Sequence, residues 1–249
     1  MAASYLLALL LALPAITLAG EEITLLANTS PPYADRTLPE EGLALELVKH
    51  VYSRTDYQPK ITIENWSRAM EGVRIGVYDA LAAAWYTDER NEAFLFSEPY
   101  LESDLLIVTL RTDRRPYSKL AHLSGRRLGV RTDYAYGIDF DAIPDLTLVE
   151  ENHLIQSLLN LLNGKVDFVI GDRRTMVMQM QEYLGQQATK FRVVPMDLPG
   201  RARHIAASRD VEGHESIIAA FNRALAETRK DGSYDAILDR WEALYGSMD

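Results

Sequence analysis

Short apolar runs alternate with amphipathic helical stripes along most of this chain, a pattern that predicts βα units built on largely parallel sheets. Residues 23–27 read as a first strand. Residues 43–54 follow as a helix with Leu47, Val48, Val51 and Tyr52 on one face, the i, i+3/i+4 spacing of a buried stripe. A strand is predicted over 60–63. Trp66, Ala69, Met70 and Val73 then repeat the helical stripe up to Gly76, a residue suited to the position after a helix end. The next strand is expected over 79–85, and further strands over 105–110, 127–130, 166–170 and 205–208. Leu154, Leu158, Leu161 and Leu162 mark another helix, ended by Gly164. Near the C-terminus, Ile217, Ile218, Phe221 and Leu225 stripe one helix and Tyr234, Ile237, Leu238 and Trp241 a second.

The order helix, Gly-x-x-Asp, strand occurs once in each half: Gly76-Val77-Tyr78-Asp79 and Gly164-Lys165-Val166-Asp167. This repetition suggests two lobes built on similar units. Two charged stretches, 111–116 and 209–210, are the candidate crossings between them. The expected division is a first lobe of residues 21–113 and 208–249 and a second of residues 114–207. The fold class is α/β, a two-lobed arrangement in which each lobe is a mainly parallel sheet flanked by helices.

The first residues change the picture. An apolar core over 6–13 and small residues leading to Ala19 and Gly20 read as a signal peptide over residues 1–20, since the run is shorter than the roughly 20 residues a membrane helix needs. Export to the periplasm is the expectation. The chain contains no cysteine, which removes a lipid-anchored cysteine, thiolate metal ligands and a cysteine nucleophile from consideration. The formal net charge of -10 opposes binding to nucleic acid or to anionic membranes. The five histidines, His50, His122, His153, His204 and His214, show no metal-ligand spacing. Neither a Walker-type loop nor a G-x-S-x-G or G-x-G-x-x-G motif is present.

Several motifs stand in a fixed order: Ser30-Pro31-Pro32-Tyr33, Gly42 before a helix, Asn65-Trp66, Thr87-Asp88-Glu89-Arg90, Phe96-Ser97-Glu98-Pro99-Tyr100, the 125–130 segment, Asp172, and Asp231-Gly232-Ser233-Tyr234. In this the chain resembles the family-3 extracellular solute-binding proteins that serve polar amino-acid ABC importers. The resemblance implies a periplasmic-binding-protein fold of type II with two hinge crossovers, a small polar ligand, a membrane permease as partner, a monomeric state and no cofactor. It implies that Arg90 holds a ligand carboxylate and that Asp172, beyond a strand end, holds its ammonium.

A guanidinium offers a planar bidentate fork to a carboxylate, and open α/β sheets take ligands beyond the carboxyl ends of their strands. Trp66, Trp85 and Tyr33 are candidate aromatic walls, Trp66 fitting a core stripe equally well. The run Ala82-Ala83-Ala84-Trp85 lacks the small hydroxyl residues that relatives carry. In the 131–137 segment, Arg131, Tyr134 and Ala135 are counted with the ligand-binding residues. A helix opening there would present backbone N–H groups to an anion, whereas Asp133 would favour a cationic group. Two alternatives stay open: a cyclohexadienyl-dehydratase-like enzyme using Asp172 or Glu151 as general acid, and a ligand-sensing module that works without a transporter.

Overall fold

The computed structural model describes residues 20–245, so the signal peptide expected over 1–20 lies outside the described residues except for Gly20. Two mixed sheets form the frame. The first contains β1 (Glu21–Ala27), β2 (Tyr57–Ile63), β3 (Ala80–Trp85), β4 (Phe94–Phe96), β5 (Leu101–Ser103) and β11 (Arg201–Ser208). Its order is β2-β1-β3-β11-β4, with β5 also paired to β11. The second contains β6 (Leu105–Leu110), β7 (Arg127–Arg131), β8 (Thr147–Glu151), β9 (Phe168–Asp172) and β10 (Phe191–Val194), ordered β10-β6-β9-β7-β8.

Read from the other edge, the second sheet runs β8-β7-β9-β6-β10 and reproduces the first. Each has three parallel strands in the order second, first, third, continued by an antiparallel strand that comes from the crossover. The Gly-x-x-Asp repeat is part of this equivalence. Gly76 and Gly164 both take a positive φ, 76° and 68°, which glycine adopts without a side-chain penalty. The Asp79 N–H donates to the Thr24 carbonyl at 2.9 Å, and its carboxylate accepts from the Thr24 N–H at 2.6 Å. Asp167 does the same with Arg127, at 2.9 Å in both directions. The aspartate thus clips its strand to the first parallel strand of the lobe before the regular ladder begins.

Helices cover both faces of the first sheet. α1 (Leu43–Tyr52), α6 (His214–Lys230) and α7 (Ser233–Tyr245) pack one core around Tyr52, Phe221, Leu225 and Trp241. α2 (Trp66–Arg74) covers the other with Ala69 and Val73. The tail helices therefore return to the first sheet as their stripes require. In the second sheet, α4 (Leu154–Leu162) and α5 (Arg173–Gln179) cover one face. No helix of the described residues is long and apolar enough to cross a membrane.

Two sequence expectations are corrected. The strand 105–110, assigned to the first lobe, pairs with β9 and β10 in the second sheet. The chain accordingly passes between sheets at Asp104 and within residues 195–200, not at 111–116 and 209–210. The charged stretch after β6 is a turn at the far end of the second sheet, where Asp113 accepts from Arg115 and Tyr117. A charge run marks a solvated turn, and every strand residue from Leu105 to Thr109 is buried, so periodicity alone assigns the strand to neither sheet.

The second correction is the helix expected after β7. The stretch 132–146 is turn and irregular chain, with Asp133 and Gly137 at positive φ and Pro144 near its end. Tyr136 and Ile143 bury there with Phe140 and Ile138 packed alongside, covering the sheet face that α1 covers in the other lobe.

The two clips give a test. Asp79→Ala and Asp167→Ala should each cost about 1–3 kcal/mol in urea unfolding, because a backbone donor loses its acceptor. Asparagine at either position, which keeps an acceptor oxygen, should cost less. Unchanged stability in the alanine variants contradicts the role. The Arg127 side chain holds the Asp167 carboxyl below its ordinary value. Its contribution is therefore complete above the unfolded carboxylate range and is lost as pH falls through the lowered value.

Candidate ligand-binding cleft

A cavity of about 580 Å³ opens between the sheets. Its walls come from the segments that follow the carboxyl ends of β1, β2, β3, β7 and β8, the position open α/β sheets offer to ligands.

Arg90 stands on α3 (Asp88–Ala93), a single turn and a half whose start is fixed by Thr87 Oγ1 accepting from the Arg90 N–H at 3.1 Å. The guanidinium reaches into the cavity, donates through Nη1 to the Trp85 carbonyl at 2.9 Å, and lies 4.8 Å from the Trp66 ring centroid. It forms no ion pair among the described residues; Glu98, an acid that could have held it, sits elsewhere, its N–H donating to Asn222. Burial, with Arg201 adding repulsion, sets its pKa below the ordinary arginine value. Trp66 combines both of its sequence readings. It opens α2, capped by Asn65, borders the cavity under Arg90, and packs against the α2 core.

Trp85 ends β3 and is buried against the second lobe. Its ring lies 4.3 Å from the Tyr134 ring, tilted by 54°. Tyr134 and Ala135 border the cavity from the 132–146 loop, and Arg131 from the last position of β7. The Arg131 backbone N–H donates to Tyr136 Oη at 2.9 Å, its guanidinium carbon lies 4.7 Å from the Tyr134 ring, and its Nε is buried with no acceptor among the described residues. The N–H array of a helix start, expected here, is absent with the helix. Guanidinium groups and aromatic faces stand in its place.

Asp172 does not reach the cavity. It is 1% exposed and caps α5, accepting from the Thr175 N–H at 2.9 Å. Tyr33 Oη, from the opposite lobe, lies 2.8 Å from each carboxylate oxygen. Arg90 and Asp172 do come from opposite lobes, but only Arg90 borders the cavity. The aspartate is covered by Tyr33, whose hydroxyl is pushed above its ordinary pKa by burial and by the Asp172 charge.

Above the Tyr33 ring, at 3.3 Å from its centroid, lies the guanidinium of Arg203, which donates to Ser103 Oγ. Arg203 is 3% exposed. Burial lowers its pKa, but Tyr33, Asp172, Tyr134 and Tyr100 outweigh that and leave it above the ordinary value. Sequence reasoning missed Arg203, together with Glu64, Asn152 and His153 on the cavity wall. The available signal was Arg201 and Arg203 alternating at the start of a strand that continues into the apolar run Ile205-Ala206-Ala207. Glu151, the other acid considered for catalysis, accepts from Asn160 at 2.7 Å and does not border the cavity. No cluster of three or more metal-ligating side chains occurs among the described residues.

The family model for bacterial extracellular solute-binding proteins, family 3, matches residues 23–243. The chain belongs to this family. Within it, the chain is similar to the ABC transporter arginine-binding protein 1 of Escherichia coli, 25% identical over 231 residues that cover 90% of this chain and 91% of that one. Among solved structures, an ancestral arginine-binding protein bound to arginine superposes with a TM-score of 0.75 at 20% identity, over 90% of this chain and 99% of that chain. The GluR0 ligand-binding core in complex with L-glutamate gives 0.74 at 16% identity, over 90% and 99%. The two-lobed type II fold is thus the fold of this family member. Ala83 and Trp85 of β3 and the loop after β7 border this cleft.

Tyr33→Phe removes the hydroxyl shared by the two lobes. A hydrogen bond to a charged group contributes about 1.5–3 kcal/mol, so urea unfolding of the variant should show a loss in that range. Full retention of stability would mean that the Tyr33–Asp172 contact contributes nothing.

Proposed function

We propose that the protein binds a small, carboxylate-bearing polar solute, an amino acid or an amino-acid-like metabolite, in this cleft and delivers it in the periplasm to the membrane permease of an ABC importer. Arg90 carries the reading: a guanidinium on the cavity wall, with one backbone acceptor and no acidic partner, above an aromatic ring. Leaving such a group without an anion is costly, and a ligand carboxylate supplies one in bidentate geometry. The similarity to the Escherichia coli arginine-binding protein supports the same reading.

Arg90 and Trp66 from one lobe and Arg131 and Tyr134 from the other border one cavity, so a ligand that touches both sets holds the lobes together. Binding therefore shifts the population toward the closed form.

A panel of amino acids and small carboxylic acids, screened by thermal unfolding, should contain at least one compound that raises Tm by roughly 5–10 °C at a hundredfold excess over Kd. Arg90→Ala should abolish the shift, and Arg90→Lys, which keeps charge but loses the fork, should retain a fraction of it. An equal shift in Arg90→Ala would remove Arg90 from the site.

A further inference from the structure

The charges around the cavity are unevenly disposed. Three guanidinium groups border it: Arg90, Arg131 and Arg203. The two acids on its wall are otherwise placed. Glu64 approaches Arg68 at 3.5 Å, and Asp133 is exposed in a left-handed turn, φ 56°.

The third acid, Asp172, stands where a strand-end carboxylate could meet a ligand ammonium, yet it is buried, does not border the cavity, and already has partners on both oxygens. Tyr33 Oη approaches both oxygens, the Thr175 N–H occupies one, and Arg203 balances the charge from above the Tyr33 ring. A ligand ammonium would have to displace the tyrosine and compete with a buried guanidinium. In contrast, Arg131 holds a buried Nε without an acceptor, its guanidinium 4.7 Å from the Tyr134 ring, and it borders the same cavity as Arg90 and Trp66. Each guanidinium lies over an aromatic ring, Arg90 at 4.8 Å from Trp66 and Arg131 over Tyr134, and neither forms an ion pair among the described residues, so each keeps N–H donors for a carboxylate.

We propose that the solute carries two carboxylates, one held by Arg90 and the other by Arg131, and that an α-ammonium adds nothing to its recognition. This rests on the function proposed above and narrows its ligand class to small dicarboxylates.

The test uses paired acids that differ only in the amino group: succinate with L-aspartate, and glutarate with L-glutamate, with L-arginine as the cationic comparison. Each is titrated calorimetrically into the purified protein at neutral pH. At least one dicarboxylate should bind as tightly as its amino-acid partner to within about tenfold, and L-arginine at least about tenfold more weakly than that dicarboxylate. Arg131→Gln should weaken the dicarboxylate about tenfold or more while leaving the ligand-free Tm in place.

The inference is overturned if both amino acids bind more than about tenfold tighter than their deaminated partners, or if L-arginine matches or exceeds the dicarboxylates. Either result leaves solute binding at the cleft intact. Undiminished dicarboxylate affinity in Arg131→Gln also overturns it. Absence of binding by all five compounds overturns the dicarboxylate assignment, and the thermal panel then decides separately whether the cleft binds any solute.

Discussion

A carboxylate and a guanidinium are buried together where the two lobes meet, with a tyrosine between them. Asp172 belongs to the second sheet, Tyr33 and Arg203 to the first lobe, and none is more than 3% exposed. Either charge alone in that position would cost about 3–5 kcal/mol, a large share of a domain's net stability. Together they are tolerable because each polar atom named here has a partner: Tyr33 and Thr175 on Asp172, and Ser103 and the Tyr33 ring on Arg203. The arrangement joins the two lobes and withdraws the strand-end acid from the cavity. The cleft's remaining chemistry follows from that withdrawal.

The two sheets share one plan and differ where it matters for the ligand. Both place their parallel strands in the same order, both clip the third to the first through the aspartate of Gly-x-x-Asp, and both lead their strand ends toward the cavity. The first lobe keeps a helix after its first strand. The second replaces it with a loop that buries Tyr136 and Ile143 and turns Tyr134 and Ala135 to the cavity. Trp85 against Tyr134 makes an aromatic contact between the lobes.

Much of this was legible from local pattern. Helical stripes located α1, α2, α4, α6 and α7, and the repeated Gly-x-x-Asp pointed to two similar lobes because it encodes a local turn and a neighbouring-strand contact. Arg90 was legible through the resemblance of Thr87-Asp88-Glu89-Arg90 to the family's motif, not through any property of the residues taken alone. What failed depends on distance. The partner of Asp172 lies 139 residues away in sequence, and nothing near Asp172 announces it. The sheet to which residues 105–110 belong is decided by β9 and β10, not by the strand's own composition. The helix expected after β7 lost to positive-φ turns and to aromatic side chains that bury the same sheet face.

The central claim is that an exchangeable small carboxylate sits between the lobes on the guanidinium of Arg90. Mass spectrometry of the small molecules released by gently denaturing the purified protein, alongside Arg90→Ala prepared identically, tests it most directly. The account predicts a carboxylate-bearing compound released from the parent protein and missing from the variant. A released compound without a carboxyl group, or one retained equally by Arg90→Ala, would contradict it.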